Sequence, residues 1–314
     1  MAKKILITGG AGFIGSNLAM ELESRGYSVI ISDLTSNNKR NSIRCDVSNF
    51  RQLESLFSKI DNIDFVYHLA AEYGRWNGED YYENLWSTNV IGLKNIIRIQ
   101  EKLKFKMVFF SSAEVYGDYR GEMSEDIMID NKISDTFQMN DYAISKWAGE
   151  LICQNSIKNF DTQTVIVRPV NCYGPHEHYT PYRGFIPKFI YHNIFKIPYT
   201  VYSGHKRIID YVEDTCRTTA NIIENFNSGE AYNIGSDQKW ENDIKIYSDL
   251  ILKTLGINDE SHITYKDIED NTTLIKTINI DKAKRDLGHN PVISPEEGIE
   301  KTIKWMKNYY EVKC

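Results

Sequence analysis

The sequence predicts an α/β protein built on a doubly wound parallel sheet, and three observations carry that prediction. Its short strand candidates are apolar almost throughout, they alternate with helical stretches, and a glycine-rich turn joins the first strand to the first helix. In order, Lys4–Thr8 is an apolar strand, about Ile14 to Arg25 a helix, Ser28–Asp33 a second strand and about Phe50 to Lys59 a second helix. Phe65–Leu69 follows as a strand, then a longer helix from about Tyr82 to Leu103 and a strand at Lys106–Ser111. A helix from about Tyr142 to Ser156 and a strand at Thr164–Arg168 close the series. Strands without a polar face need helices on both sides, and the crossovers between them are expected to be right-handed.

Beyond Pro169 the alternation loosens. Prolines at 175, 181, 187 and 198 punctuate a stretch rich in Tyr and His, and helices are expected near Asn242–Leu255 and Pro295–Tyr309. The division expected is a nucleotide-binding domain over 1–170, completed by parts of 207–235, and a smaller C-terminal domain, mainly substrate-binding, over 171–314. Ligands of such folds sit at the carboxyl ends of the strands.

The bulk numbers exclude several classes. A chain of 314 residues can bury a full core, and a net charge of −6 argues against a nucleic-acid-binding surface. No apolar run is long enough to span a bilayer, and the apolar stretch of MAKKILITGG is too short for a signal peptide. The five cysteines are scattered without CxxC spacing, which suits reduced thiols in a cytoplasmic, soluble protein.

The turn ILITGGAGFIGS carries Gly9, Gly12 and Gly15 at the spacing of a dinucleotide loop. Gly9 permits the tight turn, Gly12 lets backbone approach a pyrophosphate, and Gly15 lets the helix pack on the strand. The helix start then offers free N–H groups and a positive dipole end. Asp33 ends the second strand 18 residues beyond Gly15, where an acid accepts bonds from ribose hydroxyls and repels a 2′-phosphate. The reading is a Rossmann-type NAD site. Asp46 either contacts the adenine or caps the helix at Phe50.

In YAISK, Tyr142 and Lys146 are four residues apart on one helix face. A nearby ammonium and a positive nicotinamide ring favour phenolate, which makes Tyr142 a candidate general base. Lys146 can also hold the nicotinamide ribose, and Ser112, at the end of a neighbouring strand, can bond the same substrate oxygen.

With these motifs in place the sequence resembles the extended short-chain dehydrogenase/reductase family, whose members modify nucleotide sugars. The resemblance runs over nearly the whole chain through TGGAGFIG, Asp33, HLAA at 68–71, STNVIG at 87–92, SSAEVYG, YAISK, RPVNCYGP at 168–175 and RIIDYVED at 207–214. It implies a Ser112/Tyr142/Lys146 catalytic set, bound NAD, and oxidation of a sugar hydroxyl, usually at C4. Phe13 and Ile14 of the loop, Val47, and Leu69, Ala70 and Ala71 of HLAA would line the cofactor. Asn171 and Arg207 would lie near the sugar nucleotide, Arg207 offering its fork of donors to the diphosphate. A homodimer through the two long helices is also implied.

The residues after Ser112 discriminate between members. In the 4,6-dehydratases this run looks like Thr-Asp-Glu, the Asp protonating the departing hydroxyl; here that position is Ala113, and Glu114 remains. The 4-epimerases look like Ser-Ala-Thr and the glucuronate decarboxylases like Thr-Ser-Glu, so none matches fully. Glu114 is either a base or a positioning group. Arg75 and Trp76 either line the sugar pocket or decorate a loop, and Arg183 and Lys188 fall near the nucleotide. His176 and His178 have no third ligand nearby, so no metal is expected. The pattern is also similar to bacterial enzymes that oxidise C4 of a GDP-linked heptose for capsule assembly. The expectation is an NAD-dependent nucleotide-sugar 4-dehydrogenase, with a 4-epimerase, a 4,6-dehydratase and a silent NAD-binding sensor as rivals.

Overall fold

A computed structural model of the chain describes residues 2–35, 41–73, 80–130, 136–269 and 272–312. Arg75 and Trp76 lie outside the described residues. The strands of the main sheet are β1 (Lys4–Thr8), β2 (Ser28–Asp33), β3 (Ser42–Arg44), β4 (Phe65–His68), β5 (Lys106–Phe110) and β6 (Gln163–Pro169). Four short strands follow, β7 (Cys172–Tyr173), β8 (Tyr199–Tyr202), β9 (Lys206–Arg207) and β10 (Asp210–Tyr211), before β11 (Ala231–Ile234) returns to the sheet. Its order is β11-β6-β5-β4-β1-β2-β3, with every pairing parallel. The chain runs outward from β1 to β3, then restarts at β4 on the other side of β1. That reversal opens a crevice at the carboxyl ends of β1 and β4.

The period of two in each strand feeds both faces. Ile5, Ile7, Val108, Phe110, Val165 and Val167 pack under helices α1 (Phe13–Ser24) and Val212–Asn221. Leu6, Met107, Phe109 and Ile166 face α2 (Phe50–Ser58) and the two long helices on the other side. The sequence signals for β1 and β2 match the observed bounds, whereas β3 and β11 carried none. Ser42 and Ile43 of β3 are half-buried and Arg44 is exposed, and β11 is only four residues long.

The helix expected as one piece over Tyr82–Leu103 is α3 (Tyr82–Trp86), a π-helical turn at Ser87–Gly92 and α4 (Leu93–Leu103). The turn frees Asn89, which is 3% exposed, to bond both backbone groups of Glu72 (2.8 and 2.9 Å) and the Ser145 hydroxyl (3.0 Å). This ties the segment after β4 to the next long helix, α5 (Asp141–Phe160), which Asn140 caps by accepting from the Ala143 amide. An apolar period cannot reveal such an inserted residue.

The C-terminal part adds α6 (Phe185–Phe195), α7 (Val212–Asn221), α8 (Ile244–Leu255), α9 (Asp281–Leu287) and α10 (Pro295–Tyr309), with β12 (Asn242–Asp243) and β13 (Ile263–Lys266). Helices α6, α8 and α10 share a core with Tyr173, Phe189, Tyr247, Ile251 and Ile303. Two-residue pairings of β7 with β10 and β9 with β12 hold Asn171 and Arg207 over the sheet edge.

Candidate active site

Two clefts, each about 410 Å³, open at the carboxyl ends of the strands. All residues expected at the cofactor from the sequence line the first, from Gly9 through Asp33, Asp46, Val47 and Ala71 to Tyr142 and Lys146. Gly9 has φ +72°, and a Cβ there would fall 2.6 Å from the Ala70 nitrogen. A Cβ on Gly15 would collide with the Gly9 carbonyl. Gly12, an exposed residue with ψ 179°, precedes α1, whose start has neither a side-chain cap nor an acidic first turn. The orphan N–H groups of that helix therefore face a crevice kept open by missing side chains, which fits a pyrophosphate. Asp33 Oδ2 accepts from the Ala11 amide at 3.0 Å, so the acid that ends β2 also holds the loop. Asp46 bonds the amide and hydroxyl of Ser48, and the cap of α2 is Asn49; the capping alternative for Asp46 does not hold.

Ser112 ends the segment after β5 and caps the short turn Ala113–Tyr116 by accepting from the Glu114 amide at 3.2 Å. Its hydroxyl lines the same walls as the Tyr142 phenol and favours the phenolate. A buried ion pair fixes the two elements: Arg168 of β6 donates to both oxygens of Glu150 on α5 (2.9 and 2.7 Å), and Ser111 donates to the same carboxylate. Gly149 brings α5 against the ring of Phe109, where any Cβ would sit 2.6 Å from Cζ.

Lys146 is buried, and its Nζ donates to the Phe110 carbonyl at 2.8 Å, 5.7 Å from the Tyr142 ring centre. Burial pulls the ammonium down to about 8, with Glu150 opposing. Burial also pushes the Tyr142 phenol up to about 12, the Ser112 hydroxyl opposing and Glu114 reinforcing the rise. In the protein by itself desolvation sets the direction of the phenol, against which the lowering expected from Lys146 and the nicotinamide ring together would act.

The second cleft gathers Glu114, Asn171, Arg183, Lys188 and Arg207, segments distant in sequence. Glu114 is ion-paired with Lys276, which is 6% exposed and carried no motif in IKTINIDKAK. Arg207, 5% exposed, donates to the carbonyls of Lys206, Leu274 and Thr273 at 2.7, 2.9 and 2.5 Å, which leaves part of its fork for a ligand. Asn171 has φ +37° and donates to the Ile208 carbonyl at 2.9 Å. Ala113 is 5% exposed, packs with Val115, Met123, Val170 and Ile278, and lines neither cleft. His176 lies tilted against Trp305 and His178 stacks on Tyr309, so the two do not converge. No group of three or more His, Cys, Asp or Glu among the described residues is placed to hold a metal, and no helix among them is long and apolar enough to cross a membrane.

A UDP-N-acetyl-alpha-D-glucosaminuronate decarboxylase of Bacillus cytotoxicus is 31% identical to this protein, over 98% of each chain. A dTDP-glucose 4,6-dehydratase of Haemophilus influenzae is 26% identical, over 96% of this chain and 97% of that one. The crystal structure of a UDP-glucuronic acid 4-epimerase from Bacillus cereus, in complex with UDP-glucuronic acid and NAD, superposes with a TM-score of 0.85 at 26% identity, covering 98% and 100% of the two chains. The model of the NAD dependent epimerase/dehydratase family matches residues 5–235, and the chain belongs to that family.

Proposed function

We propose that this enzyme oxidises the C4 hydroxyl of a nucleotide-linked hexose or heptose to a 4-keto sugar. The observation that carries the reading is the Ser112–Tyr142 hydroxyl pair standing in the wall common to both clefts. NAD, when bound, supplies the hydride acceptor and a positive ring beside the phenol. Tyr142 takes the proton of the sugar hydroxyl, and Ser112 orients that hydroxyl by a hydrogen bond. The Lys146 ammonium, held by the Phe110 carbonyl, lines the cofactor cleft on the same helix face and would hold the nicotinamide ribose there. The ion pair with Lys276 fixes the Glu114 side chain in the wall of the second cleft, where its oxygens can accept hydrogen bonds from a sugar.

The 4-keto product fits a step in surface-polysaccharide assembly, the use implied by the family resemblance. A dimer through the long helices is supported by Ile91 and Leu151, 53% and 40% exposed on those two helical stretches.

Incubation with NAD and a panel of nucleotide hexoses and heptoses, followed by weighing of the product, tests the reading. Loss of two hydrogens supports it, whereas unchanged mass with altered stereochemistry means epimerisation and loss of water means dehydration. Tyr142→Phe is expected to retain NAD and to lose about 10²–10⁴ of the rate. Unimpaired turnover by that variant sinks the assignment.

A further inference from the structure

The two clefts meet at a wall of Tyr73, Ser112, Tyr142, Cys172, Glu177 and Arg183. Sugar oxidation as proposed above uses Ser112 and Tyr142 and leaves Glu177, the carboxyl of the group, without a task. Glu177 is 4% exposed and follows the Gly174–Pro175 turn, its amide donating to the Gly174 carbonyl at 3.3 Å. Its Oε2 is buried and has no hydrogen-bond partner among the described residues. Arg183 arrives from the other end of the same loop. Its guanidinium lies 3.9 Å over the ring of Tyr73, and its Nε is likewise buried without a partner among the described residues. An acceptor and a donor thus stand at one junction, and neither is satisfied by the other.

Native proteins seldom leave such groups unpaired, and a pair of opposite polarity describes what is missing. A hydroxyl donates one hydrogen bond and accepts others. We propose that Glu177 and Arg183 form a hydroxyl-binding subsite for the sugar: one ring or side-arm hydroxyl donates to Glu177 Oε2 and accepts from Arg183 Nε–H. This rests on the nucleotide-sugar reading and deepens it, because the grip fixes which ring face is presented for hydride transfer. Burial pushes the Glu177 carboxyl up to about 8, Arg183 opposing, so the carboxyl is held poised between two protonation states, either of which bonds a hydroxyl.

The test pairs enzyme variants with trimmed sugars. Wild type, Glu177→Ala and Glu177→Gln are assayed with UDP-glucose, dTDP-glucose and GDP-mannose, and then with the 2-, 3- and 6-deoxy analogues of whichever is oxidised. NAD affinity is titrated in parallel. Glu177→Ala is expected to raise KM about tenfold for the parent sugar, to change nothing for the one analogue lacking the gripped hydroxyl, and to leave NAD affinity intact. Glu177→Gln, which keeps an acceptor, restores part of the loss. Equal losses for every analogue, or a fall in NAD affinity in place of a rise in KM, overturn the subsite. Calorimetric binding of the same sugars reads it separately from turnover. If sugars bind but none is oxidised, the proposed oxidation fails while the subsite is still judged by the binding loss of Glu177→Ala; if none binds, both fall.

Discussion

The cofactor cleft and the sugar cleft share a wall but are built on opposite plans. The first is made largely of backbone: glycines that admit no Cβ, an uncapped helix start and the carboxyl ends of the parallel strands. The second is made of long side chains from segments as far apart as Glu114 and Lys276, 162 positions, held by ion pairs and carbonyl contacts. A backbone site is dictated by local sequence and is hard to alter without breaking the fold. A side-chain site can be re-lettered one residue at a time, which is how one scaffold serves decarboxylases, dehydratases and epimerases alike.

Substitutions can break this contrast or sharpen it. The largest effect is expected beneath both clefts, at Glu150→Gln. Leaving Arg168 without its carboxylate inside the core costs about 3–5 kcal/mol, to be read by urea denaturation, and both ligand affinities fall together. Next comes Gly15→Ala, whose methyl meets the Gly9 carbonyl; about 1–3 kcal/mol of strain is expected to appear as weakened NAD binding, with sugar contacts spared. Lys276→Met is its mirror image. It removes the Lys276 ion pair of Glu114 and is expected to raise the sugar KM about tenfold with NAD affinity unchanged, in steady-state assays with each ligand varied.

The smallest effect is a pH dependence. Glu177 keeps its proton in the folded chain up to about 8 and loses it near the ordinary carboxyl range when unfolded, so its contribution is fully present in acid and is lost as pH rises towards 8. Melting temperatures from about pH 5 to about pH 8 should therefore shift in favour of Glu177→Gln by a few degrees. A constant gap between the two proteins would show that Glu177 ionises normally.

The same contrast explains what could be read from the sequence. Apolar runs such as Met107–Phe110 and the spacing of Gly9, Gly12 and Gly15 are local signals, and both the strands and the cofactor cleft follow from them. Tyr142 and Lys146 were legible because four residues on a helix make a fixed geometry. Lys276 was not, since nothing local marks a partner for Glu114, and Glu177, between His176 and His178, belongs to no motif. Helix α6 is hidden in the stretch that prolines punctuate, although Pro187 falls within its first turn, where proline is tolerated. That the position after Ser112 holds no acid is plain from the sequence; that the Ala113 methyl packs in an apolar cluster and lines neither cleft is not.

The late arrival of β11 matters for how the chain is made. Strand β6 is complete at Pro169, yet its outer edge waits for residues 231–234, and until then it presents unpaired amides and carbonyls along Val165–Val167. During synthesis that edge is open while more than sixty further residues emerge, counting from 169 to 231. A fragment ended near residue 170 would carry it permanently, together with the bare side of Val165 and Val167 that Ile222 and Ile234 cover. Such a fragment would retain the whole glycine loop and still be a poor NAD-binding module, because its exposed strand recruits other copies before it can fold cleanly.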